Sequence, residues 1–71
     1  METVTIRDEF IKLGQALKLA GICDSGVDAK ELITDDAARV NGEVDLRRGR
    51  KLYDGDVVEV KGQSFRISAK K

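Results

Sequence analysis

Apolar and polar positions change their rhythm twice along this chain. Thr3-Val4-Thr5-Ile6 alternates with a period of two and is rich in β-branched residues, which predicts a short strand. From Glu9 the period lengthens, with Asp8 as a candidate cap. Phe10, Leu13, Leu17 and Ala20 fall at i, i+3, i+7 and i+10, one stripe of an amphipathic helix that stops at Gly21. Lys12 and Gln15 point away from that stripe, and Lys18 lies on its flank. Gly14 inside the helix costs about 1 kcal/mol relative to alanine, so it marks close packing or the close approach of a ligand. Ser25 is a good N-cap and Asp28, three residues on, mimics a capping box. A second helix follows, with Ala29, Leu32 and Ile33 on its buried face, Lys30 and Thr34 beside them, and an end near Asp35 or Asp36. The first half therefore reads as two helices joined by a tight turn over 21–24.

The second half returns to strands. Asn41-Gly42 between β-branched residues is a strong hairpin signal. A strict two-residue loop would set Val40 opposite Glu43 and Arg39 opposite Val44, leaving neither face apolar. A slightly longer loop would pair Val40 with Val44 and is the expected register. Asp54-Gly55 turns the chain into Val57-Val58-Glu59-Val60, and residues 61–63 turn it again into Ser64–Ser68, with Phe65 and Ile67 inward and Arg66 outward. The predicted fold is α+β, a two-helix hairpin packed on a small twisted antiparallel sheet, forming a single domain over 1–71.

Composition narrows the chemistry. A chain of 71 residues buries only about 60% of its unfolded surface and has little from which to carve a deep substrate cavity. There is no histidine and one cysteine, Cys23, which excludes an internal disulfide and any histidine-based metal or acid/base site. Cys23 reads as a structural thiol. Thirteen carboxylates can be paired on paper, but no metal-ligand cluster or phosphate-cradling motif gives any of them a pocket, which argues against an enzyme. No long apolar run or signal-like N-terminus is present, so a soluble cytoplasmic protein is expected, ordered except at Lys70 and Lys71.

Thirteen basic residues cancel the thirteen acidic ones, yet their positions differ. Residues 1–36 carry four basic and eight acidic side chains, and residues 37–71 carry nine and five, so the halves stand at −4 and +4. Such asymmetry suggests a polyanion-binding face. Its centre is Arg47-Arg48-Gly49-Arg50-Lys51, four positive charges in five residues. Most charge runs are solvated loops, but the planar guanidinium fork matches phosphate geometry and favours function here. Base stacking is disfavoured, because Phe10 and Phe65 read as inward and only Tyr53 is left to be exposed. Backbone and shape recognition, suited to folded RNA, remains. The start of the second helix at Ser25-Gly26 offers backbone N–H groups to a phosphate, opposed by Asp24 and Asp28.

The order of IKLGQALKLAGICDSGVDAKELI, ARVNGEV and RRGRKLYDGDVVEV resembles the S4 RNA-binding domain over about residues 9–61, and in particular the small free-standing bacterial members of that family. Ser25, Ala29-Lys30, Leu32-Ile33, Val40-Asn41-Gly42, Leu52 and Gly55-Asp56 carry the likeness. It implies a helix hairpin on a small sheet, with an RNA-facing surface built from the helices and the basic loop. Lys12 stands where the family often has arginine, Lys30 matches the basic residue of the second helix, Arg39 precedes the Val-Asn-Gly turn, and Arg47, Arg48, Arg50 and Lys51 fall in the loop. Gly14, Gln15 and Gly26 depart from the family's Asp, Lys and basic residue, which shifts weight toward residues 47–51.

The expected function is a non-catalytic module that recognises the phosphate backbone and shape of structured RNA, ribosomal or transfer. The candidate contacts are Arg47, Arg48, Arg50, Lys51, Arg39, Lys30, Lys12, Lys18, Asn41 and Gly42. No cofactor, metal, membrane or small-molecule substrate is implied, and a monomer, acting free or on the ribosome, is expected. The alternative is a protein-interaction adaptor that uses the acidic face of Asp24, Asp28, Glu31, Asp35 and Asp36.

Overall fold

A computed structural model describes residues 2–23, 26–36 and 38–69, with the side chains of residues 26–28 and 36 outside the description. The element order is β1 (Glu2–Ile6), β2 (Ile11–Lys12), α1 (Leu13–Leu19), α2 (Gly26–Asp36), β3 (Arg39–Val40), β4 (Glu43–Val44), β5 (Lys51–Leu52), β6 (Val57–Val60) and β7 (Gln63–Ala69). Five strands form one sheet in the order β1-β7-β6-β3-β4, and β2 pairs with β5 as a separate antiparallel ribbon. The α+β expectation holds. The sheet is mixed rather than purely antiparallel, because β1 joins β7 in parallel, with Val4 opposite Ile67. Nothing local in Thr3–Ile6 encodes that choice of partner.

One face of the sheet is apolar and the helices cover it. Val4, Ile6, Val40, Val58, Val60, Phe65 and Ile67 meet Leu13, Ala16, Leu17, Ala29, Leu32 and Ile33 in a single buried cluster that also takes in Ile11, Ala38 and Leu52. Each fully buried leucine, isoleucine or phenylalanine contributes about 1.5–3 kcal/mol by removal from water. Cys23 is half-buried and packs against this cluster, in keeping with a structural role.

The first helix begins later than its apolar stripe suggests. Ile11 and Lys12 are extended and pair with Leu52 and Lys51, and only then does α1 start, so Phe10 is half-buried beside the ribbon instead of inward on a helix. The cause is tertiary. Lys12 occupies the N-cap position without a side-chain cap bond, and the first two helical N–H groups are satisfied by a distant loop: Leu13 N donates to Arg50 O at 2.8 Å and Gly14 N to Arg48 O at 3.0 Å. Those two bonds satisfy donors that every helix start leaves open. The expected Ser25 cap of α2 lies outside the described residues, as do Asp24 and the side chain of Asp28.

The Asn41-Gly42 hairpin takes the two-residue loop, not the longer one. Val40 faces Glu43 and Arg39 faces Val44, and both loop residues have positive φ, 53° at Asn41 and 86° at Gly42. That backbone matches the twist of the strands. It is clamped from outside: Asn41 N donates to Val57 O at 2.7 Å, Val57 N to Asn41 Oδ1 at 2.9 Å, and Asn41 Nδ2 to Asp56 Oδ1 at 3.0 Å. The register leaves Val44 55% exposed on the outer face. By the alternation of an extended chain it turns Asp45 inward.

Candidate functional site

Asp45 organises the basic loop. Its side chain is only 7% exposed, and Asp45 N is fixed to Ala38 O at 2.8 Å. Arg47 approaches it as a fork, with Nε donating to Oδ1 at 3.1 Å and Nη2 to Oδ2 at 2.9 Å, while Arg47 N also donates to Oδ1 at 2.9 Å. Arg50 Nη1 adds a bond to Oδ2 at 2.7 Å. Charge-assisted bonds of this kind are the strong ones. The hydrogen bonds from Arg47, and then those from Arg50, hold the Asp45 carboxyl far below the usual carboxylate range against the opposing effect of burial. The same pairing raises the Arg47 guanidinium further above its ordinary value. Arg47 keeps 74% of its side chain exposed, and Arg50 keeps 30%. One buried carboxylate thus ties two of the four loop charges into a fixed arrangement.

The loop's carbonyls dock on the start of α1, and that docking brings basic side chains from three elements together. Lys12, Gly14, Gln15 and Lys18 of the helix side share a shallow depression of about 410 Å³ with Arg48 and Gly49. Arg47, Arg50 and Lys51 line a second hollow that also borders Gly49. Within the ribbon, Lys12 stands directly opposite Lys51, and both are exposed. Like charges facing each other across strands are destabilising. Lys12 shares its depression with Arg48, and Lys51 lines the neighbouring hollow.

A family model described as the S4 domain matches residues 4–68. The chain belongs to the S4 domain family. Among curated proteins it is 52% identical over 65 residues to one named "Probable ribosome maturation protein RlbA" from Bacillus subtilis, covering 90% of this chain and 92% of that one. It is 34% identical over 59 residues to "Putative RNA-binding protein YbcJ" from Escherichia coli, covering 83% and 84%. The S4 match extends past the 9–61 stretch that carried the resemblance, taking in most of β1 and β7.

Within this S4 domain the expected contact residues separate into groups. Lys12, Lys18 and Arg48 line the depression where the loop docks, and Lys51 and Arg47 line the adjoining hollow across Gly49. Arg50 is there too, half-buried and turned to Asp45. Arg39 is exposed on the outer face of the sheet, opposite Val44 and Glu59, and is not among the residues lining either hollow. Lys30 is exposed on α2 and also lines neither. Asn41 and Gly42 serve the hairpin, since both polar atoms of the Asn41 amide are engaged by Asp56 and Val57. Asp45, which arranges the loop, and Gln15, which lines the depression, are absent from the contact residues expected from the sequence. The hairpin register would have revealed Asp45, because the two-residue loop places it inward within bonding reach of Arg47.

No helix among the described residues is long and apolar enough to cross a membrane, and no group of three or more metal-ligating side chains occurs among them. Of the acidic face weighed for a protein partner, Glu31 and Asp35 are exposed, whereas Asp24 and the side chains of Asp28 and Asp36 lie outside the described residues.

Proposed function

We propose that this S4 domain binds structured RNA through phosphates, without catalysing a reaction on it, using Lys12, Lys18, Arg48 and Lys51 with Arg47 alongside. The observation that carries this reading is the opposed pair Lys12 and Lys51 next to Arg48, cations from a strand, a helix cap and a loop gathered on one surface. Phosphate contacts position a protein on its nucleic acid and dominate the affinity. A shallow open surface suits a broad backbone and offers no enclosed cavity for a small substrate. The printed names of the two relatives, one for ribosome maturation and one for RNA binding, support RNA as partner and ribosomal RNA as the first candidate. A cytoplasmic setting follows from that partner.

Ultraviolet crosslinking in cells, followed by sequencing of the attached RNA, tests the proposal. Enrichment of folded ribosomal or transfer RNA that is lost in a Lys12→Glu, Arg48→Glu variant supports it. Recovery of partners that survives nuclease treatment, with no RNA above the level of that variant, overturns it.

A further inference from the structure

The ribbon of β2 and β5 carries more than charge. Its inner face buries Ile11 and Leu52, which are paired across the strands. Extending the same register one step sets Phe10 opposite Tyr53, next to the pair Lys12 and Lys51. By the period-two alternation, Phe10, Lys12, Lys51 and Tyr53 share the outer face. The contacts agree: the rings of Phe10 and Tyr53 lie 6.0 Å apart at 47°, and Lys51 Nζ sits 4.8 Å from the centre of the Phe10 ring. Aromatic and cationic side chains therefore alternate on one patch. The apolar pattern places Phe10 on the buried stripe of a helix, where stacking is disfavoured; the extended β2 brings it out beside Tyr53.

Tyr53 is the more accessible ring, 46% exposed, and it is held by its backbone. Tyr53 N donates to Asp56 Oδ2 at 2.7 Å and Asp56 N returns a bond to Tyr53 O at 3.0 Å, while the other Asp56 oxygen is bound by Asn41. Phe10 backs the phenol ring on one side. An exposed ring on a fixed turn, with Lys51 two residues before it on the same side of the ribbon and Lys12 opposite Lys51, matches the general design of a stacking platform, in which a base lies on the ring and its phosphate meets a cation.

We propose that Phe10 and Tyr53 form a stacking subsite for an unpaired base of the bound RNA, with Tyr53 as the contacting ring and Lys51 and Lys12 beside it for the flanking phosphates. The subsite rests on the RNA-binding reading above and narrows its ligand to folded RNA that displays a bulged or looped-out nucleotide next to a helical stretch. A fully paired duplex would engage the cations alone.

The test uses the full chain and two RNA hairpins of equal length, each closed by a non-nucleotide ethylene-glycol linker so that the loop offers no base, one with a fully paired stem and one with a single-nucleotide bulge. A third carries an abasic site at the bulge. Tyr53 is the sole tyrosine and tryptophan is absent, so intrinsic tyrosine emission reports on this ring alone. The bulged hairpin is expected to bind about tenfold more tightly than the paired one and to quench that emission, and the abasic hairpin to lose both effects. Tyr53→Phe keeps the preference, whereas Tyr53→Ala removes it and leaves the paired hairpin's affinity and salt dependence unchanged. Equal affinity for bulged and paired hairpins, both salt-sensitive, overturns the subsite while leaving RNA binding intact. So does a bulge preference that survives Tyr53→Ala. Salt-insensitive, negligible binding of all three hairpins would instead remove the RNA reading and the subsite with it.

Discussion

The Arg48 side chain lies where a side chain at position 14 would begin. A Cβ built on Gly14 would sit 2.5 Å from Arg48 Cγ and 3.1 Å from its Cδ, while Arg48 O receives the Gly14 N–H. The glycine in α1 is therefore the partner of an arginine in the loop, and it fixes that arginine against the helix.

Gly14→Ala forces this arginine to move, because the atom it meets is near the root of the side chain and cannot swing clear cheaply. Alanine gains about 1 kcal/mol of helix propensity, which is realised only when position 48 is small. In an Arg48→Ala background Gly14→Ala should thus stabilise the fold by about 1 kcal/mol, and in the parent chain it should not. A thermal-denaturation cycle over the four proteins measures the difference; additivity within about 0.3 kcal/mol would contradict the contact.

Removing the Asp45 carboxylate should cost stability even though it raises the net charge of a basic surface. Asp45→Asn loses charge-assisted bonds to Arg47 and Arg50, worth about 2 kcal/mol together, or roughly 8–16 °C in a domain of this size. RNA affinity should fall or stay level, not rise, since the two arginines lose their fixed geometry. An increase in affinity would show that Asp45 serves only as a neutralising charge.

The same carboxylate sets a pH dependence. Its folded pKa is depressed by Arg47 and Arg50, below an unfolded value of about 3.9, so its contribution is complete above that pH and declines as pH falls below roughly 4. Arg47, raised above an already high value, stays charged throughout. Denaturant titrations from neutral pH down to about pH 2.5 should show a loss that Asp45→Asn largely flattens. An identical slope in the variant would remove Asp45 as the source.

Gly49 separates the two basic hollows, and a Cβ there would meet nothing within 4 Å. The fold does not need the missing side chain. Gly49→Ala should leave the melting temperature unchanged or raise it by the equivalent of about 0.4–1 kcal/mol through the unfolded chain, yet weaken RNA binding several-fold by holding the phosphate backbone off the surface. Unchanged affinity would show that RNA does not approach the loop at that point.

Much of this molecule is legible in its sequence, and the exceptions share a cause. Ala29, Leu32 and Ile33 mark α2, and Val58, Val60, Phe65 and Ile67 mark the inner face of the sheet, because burial of one face imposes a period that neighbours in sequence display. What depends on distant partners is hidden. Phe10 fits the helical stripe of Leu13 and Leu17, and only pairing with residues 51–52 shows that it precedes the helix. The apolar pattern favours burying Val44, yet β4 is a two-residue edge strand, and the left-handed backbone at Asn41 and Gly42, clamped by Asp56 and Val57, outweighs one valine. That register conceals Asp45 from a pattern reading, and with it the reason the arginine run holds one geometry. The basic surface is visible as a charge run; its membership is not, since Lys12 and Lys18 join Arg48 through carbonyls that cap α1, while Lys30 and Arg39 stay apart.

Phosphate binding by this surface is read from the salt dependence of its affinity for a folded ribosomal RNA fragment. Neutralising about 4 to 5 phosphates predicts a slope of log affinity against log salt of roughly −3 to −5. Lys12→Gln with Arg48→Gln should reduce its magnitude by about 2, while Lys30→Gln with Arg39→Gln should leave it in place. A flat salt response in the parent chain, or an equal loss from both pairs, would contradict a phosphate-binding surface built where the loop docks on α1.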